Sequence, residues 1–268
     1  MFRGREGGKA EIVTLTADMR ASKVPEVTLI FWVIKIAATT LGETAGDAVT
    51  MSLDLGYLVG TAIYAAFFVI CVAGQIRARR FHPSLYWLTI VATTTVGTTL
   101  ADFADRSLGI GYIGGSTLLF VLLMASLMAW YATEGTVSVN TVSTPRVEAF
   151  YWITILFSQT LGTALGDFLA DTSGLGYVGG ALVFLAALAI VAAAYYFTDV
   201  SRVLLFWAAF ILTRPLGATV GDFLDKPRAN GGLALDRFTA SAVLAAFMIV
   251  CLLVFAQRPA TRSHGSKA

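Results

Sequence analysis

Apolar runs of about 20 residues, the length that crosses a hydrocarbon core, recur from residue 27 to residue 256 with short polar turns between them. They predict eight helices near 27–49, 57–76, 84–103, 110–132, 148–169, 176–198, 201–224 and 234–256. The even-numbered runs are almost uniformly apolar. The odd-numbered runs carry polar residues at every fourth position, which places them on one helix face. In the first run that stripe is Lys35, Thr39, Glu43 and Asp47; its counterparts are Thr94, Thr98 and Asp102, then Gln159, Thr163 and Asp167, then Arg214 and Asp222. Beside it runs a stripe of small residues, Gly42 and Gly46, Gly97 and Ala101, Gly162 and Gly166, Gly217 and Gly221, which lets helix backbones approach closely in lipid.

The odd runs are copies of one another. FWVIKIAATTLGETAGD (31–47), YWLTIVATTTVGTTLAD (86–102), YWITILFSQTLGTALGD (151–167) and FWAAFILTRPLGATVGD (206–222) align without a gap. In each, a Trp precedes a Gly by ten residues and an Asp follows that Gly by five. Self-similarity at a fixed period is the mark of a repeat architecture. The expected fold class is therefore all-α, a polytopic membrane protein of four parallel two-helix repeats. The odd helices should form an inner bundle with their polar stripes turned inward. The expected segments are a polar tail (1–22), repeats at 23–80, 81–135, 145–200 and 201–258, and a second tail (259–268).

Composition sharpens this picture. The 268 residues are 57% apolar and 13% charged, with a mean hydropathy of +0.75, outside the range of a soluble domain. Basic residues collect on the side of the two termini (Arg3, Arg5, Lys9, Arg20, Lys23, Arg77, Arg79, Arg80, Arg146, Arg202, Arg258, Arg262, Lys267), whereas the opposite side holds Arg106, Lys226, Arg228 and Arg237. The positive-inside rule then puts both termini on the cytoplasmic side of the membrane. The four Trp residues read as interfacial anchors, and Asp105, Asp171 and Asp225 as solvated loop carboxylates. Cys71, Cys251, His82 and His264 fall in no metal or redox motif.

The stretch KVPEVTLIFWVIKIAATTLGETAGD (23–47), with the fourfold Trp and Gly-x-x-x-x-Asp pattern, resembles a family of bacterial integral membrane proteins with four tandem two-helix repeats of unknown function. The resemblance covers roughly 23–256 and implies fold and location; it brings no substrate.

Function is read from the residues. Ionisable groups at mid-membrane cost about 2.5 kcal/mol or more and persist when paired, solvated or functional. Lys35, Glu43 and Arg214 break the fourfold pattern at mid-membrane, where transporters with internal repeats place their substrate sites. The leading expectation is a transporter of a hard cation, a divalent metal such as manganese with proton-coupled export. Its ligands would be Glu43, Asp47, Asp102, Asp167 and Asp222, with Thr39, Thr94, Thr98, Gln159 and Thr163 lining the path. Three alternatives stand beside it: a proton-coupled carrier of an anion or small organic solute held by Lys35 and Arg214, a channel, and a membrane scaffold that transports nothing. The four aspartates also have a purely structural reading, in which they stop their helices or pair with Arg106 or Lys226. No nucleophile–base pair or HExxH-type set points to an enzyme. No cofactor is expected beyond a bound divalent cation as substrate, the expected partners are the bilayer and a small solute rather than nucleic acid, and a homo-oligomer stays open.

Overall fold

A computed structural model describes residues 21–261. Residues 1–20 and 262–268, which hold most of both expected tails with Arg3, Arg5, Lys9, Arg20, Arg262, His264 and Lys267, lie outside the described residues. Eight long helices follow one another: α1 Leu29–Asp47, α2 Gly56–Arg77, α3 Pro83–Asp102, α4 Gly111–Glu134, α5 Pro145–Asp167, α6 Gly176–Phe197, α7 Arg202–Asp225 and α8 Arg237–Val254. Their starts follow ordinary capping chemistry. Thr28 and Thr144 accept hydrogen bonds from the first turns of α1 and α5, and Pro83 and Pro145 sit at first helical positions, where the missing N–H costs nothing.

The motif aspartates do not stop their helices. After Asp47, Asp102 and Asp167 the chain continues through a five-residue π-helical turn, Ala48–Ser52, Phe103–Ser107 and Phe168–Thr172. A left-handed bend follows at Asp54–Gly56, Gly109–Gly111 and Gly174–Gly176, where positive φ favours glycine and makes Asp54 the exception. The fourth copy has drifted: α7 runs on past Asp222 to Asp225, and unbroken through Pro215.

The four odd helices close into a ring in which α1 packs on α3, α3 on α5, α5 on α7 and α7 on α1. Each even helix leaves its own repeat and lies on the odd helix of the next one: α2 on α3, α4 on α5, α6 on α7, and α8 on α1, which closes the circle. The glycine stripe makes the ring tight. A β-carbon at Gly42 would overlap Thr94, one at Gly162 would overlap Arg214, one at Gly217 would overlap Thr39, and one at Gly97 would come within 3.1 Å of the Gln159 backbone. Each odd helix thus receives a knob from the next, around the whole circle.

The even helices turn large apolar side chains outward, among them Ile70, Ile113, Ile190 and Leu253. Seven of the eight helices are long and apolar enough to cross a membrane by length and composition. The exception, α3, is diluted by Thr89, Thr93, Thr94, Thr95, Thr98 and Thr99, all of them buried inside the ring.

At the end where α1 begins, the segments 22–26 and 258–260 tie the circle together. Pro25 pairs with Pro259 in an antiparallel bridge, flanked by backbone bonds from Ser22 and Glu26 to Ala260 and Arg258. Buried Ser22 donates to the carbonyls of Val139 and Val142, and Lys23 pairs with buried Glu148 of α5 at 2.6 Å. This strap lies across the linker between the second and third repeats.

Candidate functional site

Stepping by four along each odd helix gives five layers of four side chains, every one buried. They are Phe31/Tyr86/Tyr151/Phe206, Lys35/Ile90/Ile155/Phe210, Thr39/Thr94/Gln159/Arg214, Glu43/Thr98/Thr163/Ala218 and Asp47/Asp102/Asp167/Asp222. At a rise of about 1.5 Å per residue, the first and last layers lie about 24 Å apart, most of a bilayer's hydrocarbon core. All twelve site residues expected from the sequence lie in these layers.

The layer nearest the termini is an aromatic seal. The Tyr86 and Tyr151 hydroxyls meet at 2.6 Å, and Phe31 and Phe206 lie 6.3 Å apart between ring centroids. Three of the four motif Trp residues belong to the same cluster and are not lipid anchors, whereas Trp32 stays half-buried at its edge. Trp87, Trp152 and Trp207 are buried between helices, and the indole N–H groups of Trp87 and Trp207 donate to Gln257 Oε1 and to the Val137 carbonyl. Trp87 and Trp207 are thus met by chain from outside their own repeats, the segment after α8 and the linker before α5, which sequence spacing alone does not reveal.

In the middle layers one side chain joins the whole ring. Arg214 Nη2 of α7 donates to Glu43 Oε2 of α1 at 2.9 Å, to Thr98 Oγ1 of α3 at 2.6 Å and to Thr163 Oγ1 of α5. Lys35 does not pair with an aspartate. Its ammonium lies 3.5 Å from Gln159 Oε1 and 4.1 Å over the Phe210 ring, with no carboxylate partner among the described residues. Donors therefore outnumber acceptors: Arg214 Nε and Nη1 and Gln159 Nε2 are fully buried without a hydrogen-bond partner. Unsatisfied buried donors on a permanently charged group are costly.

At the aspartate end the balance reverses. Lys226 bridges Asp47 and Asp222, the latter at 3.2 Å. Arg106 bridges Asp102 at 2.8 Å and Asp167 at 3.5 Å, and reaches Asp171 at 3.6 Å. The four motif aspartates thus form two clamped pairs. Burial opposes the charge of Lys226, yet Asp222, Asp47 and Asp225 together hold its pKa well above the usual lysine value. Asp105 and Asp225 are buried, not solvated. Asp225 accepts from Arg237 at 3.1 Å, a partner that sequence reasoning missed because it lies in the next helix. Of the five expected metal ligands, Glu43, Asp47 and Asp222 bring carboxylate oxygens within 4.8 Å of one another, a set able to hold a hard cation. Asp102 and Asp167 stay on the Arg106 side.

Comparison with curated proteins and with solved structures returned no match. The Repeat of Unknown Function DUF347 matches four times, at residues 30–81, 85–136, 150–201 and 205–258, each match holding one odd and one even helix. The chain therefore belongs to the DUF347 repeat family, as a four-repeat member.

Proposed function

We propose that the chain is a multi-pass carrier of the bacterial inner membrane that takes a small carboxylate- or phosphate-bearing solute at the middle of its ring. The observation behind this reading is the surplus of buried donors around Arg214. The permanently charged Arg214 is met by the single carboxylate of Glu43, with the Lys35 amine nearby in the same ring, and Arg214 Nε, Arg214 Nη1 and Gln159 Nε2 have no acceptor. An anion supplies the missing acceptors. The free Nε–H and Nη1 amino groups of this planar guanidinium can each donate to an anion's oxygen.

Glu43 is the coupling group in this scheme. While ionised it competes for Arg214 and repels the incoming anion; protonated, it releases the guanidinium. One proton taken up with each monoanion leaves the charge of the site unchanged. The field along the axis favours the same cargo. Arg77, Arg79, Arg80, Arg146, Arg202 and Arg258 lie toward the terminus side, which the positive-inside rule makes cytoplasmic, and draw anions from there. The chain is read as a carrier rather than an enzyme.

Transport of a hard cation is the second reading, favoured by the Glu43, Asp47 and Asp222 oxygens and by Lys226, whose ammonium occupies the place a cation would take. A cation bound there would still meet Arg214 and Lys35 further along the axis, and fixed positive charges in a narrow pore repel cations. The two readings separate in proteoliposomes loaded with radiolabelled anion or divalent metal. Anion flux that falls at least tenfold in Arg214→Gln supports the first. Metal flux that survives Arg214→Gln and fails in Asp47→Asn supports the second.

A further inference from the structure

An apolar groove of about 650 Å³ opens sideways between α1, α6 and α7 on the terminus side. The other three seams of the ring are filled at this depth. Equivalent positions of the first three repeats are Gln75, Trp130 and Tyr195; the first two are 1% and 0% exposed, whereas Tyr195 is 49% exposed. Trp130 wedges between Tyr151 and Trp207, and α8 seats Met248 and Cys251 against α1. Tyr195 instead swings out under the Arg202 guanidinium, 4.3 Å from its ring centroid. Trp32, alone among the four motif tryptophans in not being buried, forms one wall of the space left behind.

We infer that this groove holds one acyl chain of an anionic phospholipid, with the headgroup phosphate at Arg202. The walls are apolar, with Leu188 and Ala192 facing Trp32, so water gains nothing there. Apart from Thr213, whose hydroxyl donates to the Phe210 carbonyl, the polar side chains gather at one end: exposed Arg202, then Ser138 and Asn140 of the linker. From Arg202 to Thr213 at the far end is eleven residues of α7, about 16 Å. That matches half the thickness of a hydrocarbon core, the depth of one leaflet. A basic rim over an apolar slot, flanked by Tyr195, Tyr196 and Trp32 at interfacial depth, complements a negatively charged headgroup. The volume falls within the range of built ligand sites, about 300–1,000 Å³. The inference rests on the membrane-spanning reading and is independent of which solute the central site takes.

The test is native mass spectrometry of the full chain purified in mild detergent and titrated with phosphatidylglycerol, phosphatidylcholine or inorganic phosphate. One phosphatidylglycerol per chain is expected, displaced at least fivefold in Ala192→Trp, which fills the groove. Ala193→Trp, one position round the same exposed helix face and outside the groove, should retain it. Arg202→Gln should equalise the two lipids, and inorganic phosphate alone should give no adduct. Equal retention in Ala192→Trp and Ala193→Trp, or a wild type that holds neither lipid or both alike, overturns the assignment.

Discussion

The aspartate end and the middle of the ring are built from equivalent positions of the same four helices, yet they solve opposite problems. At the aspartate end the repeat is kept: one Asp per copy, gathered in twos, each pair spanned by a cation from an adjoining turn, with Arg237 a further 3.9 Å from Asp47. In the middle the repeat is broken. Thr39 and Thr94 keep hydroxyls that bond to backbone carbonyls, while the third and fourth copies substitute Gln159 and Arg214, whose donors outrun the available acceptors. Where all copies agree, the residues cross-link the bundle. Where they disagree, groups are left reaching for something the chain does not provide.

Breaking the middle should cost most. Arg214→Gln strands Glu43 in the buried ring and should lower stability by about 3–5 kcal/mol, as removal of one partner of a buried pair does. The double variant Arg214→Gln/Glu43→Gln should recover most of that loss in denaturant titrations while still failing to bind anions. A double variant as unstable as the single one would show that Arg214 serves the fold through Thr98 and Thr163 instead.

The clamps at the aspartate end come next. Lys226→Gln and Arg106→Gln should each cost about 1.5–3 kcal/mol, the usual loss for hydrogen bonds to charged groups. The clamps share no partner, so the two losses should add. Anion affinity at the centre should stay within twofold of wild type in both. If either variant instead abolishes anion binding, the two regions are one site and the contrast between them fails.

The smallest effect is expected at the strap. Ser22→Ala removes a buried hydroxyl that holds the Val139 and Val142 carbonyls and accepts from Val24, at a cost of about 1 kcal/mol. Solute flux should not change, because the aromatic seal beneath the strap remains. A large rise in uncoupled flux would make the strap a gate.

Much of this was readable beforehand, for definite reasons. Spacing by four fixes a helix face, so Lys35, Thr39, Glu43 and Asp47 were bound to share one, and a polar face in lipid has to turn inward. The glycine column likewise reports close approach. What stayed hidden was set by contacts between repeats. An even helix of fixed length fits its own odd helix as well as the next one, and only packing decides, so neither the ring's closure by α8 nor the burial of Trp87, Trp152 and Trp207 could be seen. Asp105 and Asp225 read as loop residues in the sequence because the π-helical turn and the extra turn of α7, which hold them inward, leave no periodic signature. The pairing of Lys23 with Glu148 joins residues 125 apart in sequence. The pairing of Arg214 with Glu43 was legible in outline, since two opposite charges at mid-membrane have few other ways to be accommodated.

The most direct measurement is the affinity of the purified protein for small carboxylates and phosphate, by calorimetry, in wild type and in Glu43→Gln. A carboxylate about 6 Å from a bound anion opposes it by roughly 2–3 kcal/mol at an effective dielectric of 20, so its removal should tighten binding at least tenfold. The pH dependence of binding should vanish with it. Anion affinity that weakens or stays level in Glu43→Gln, together with divalent-cation binding that the same substitution destroys, would contradict the anion site and hand the centre of the ring to cations.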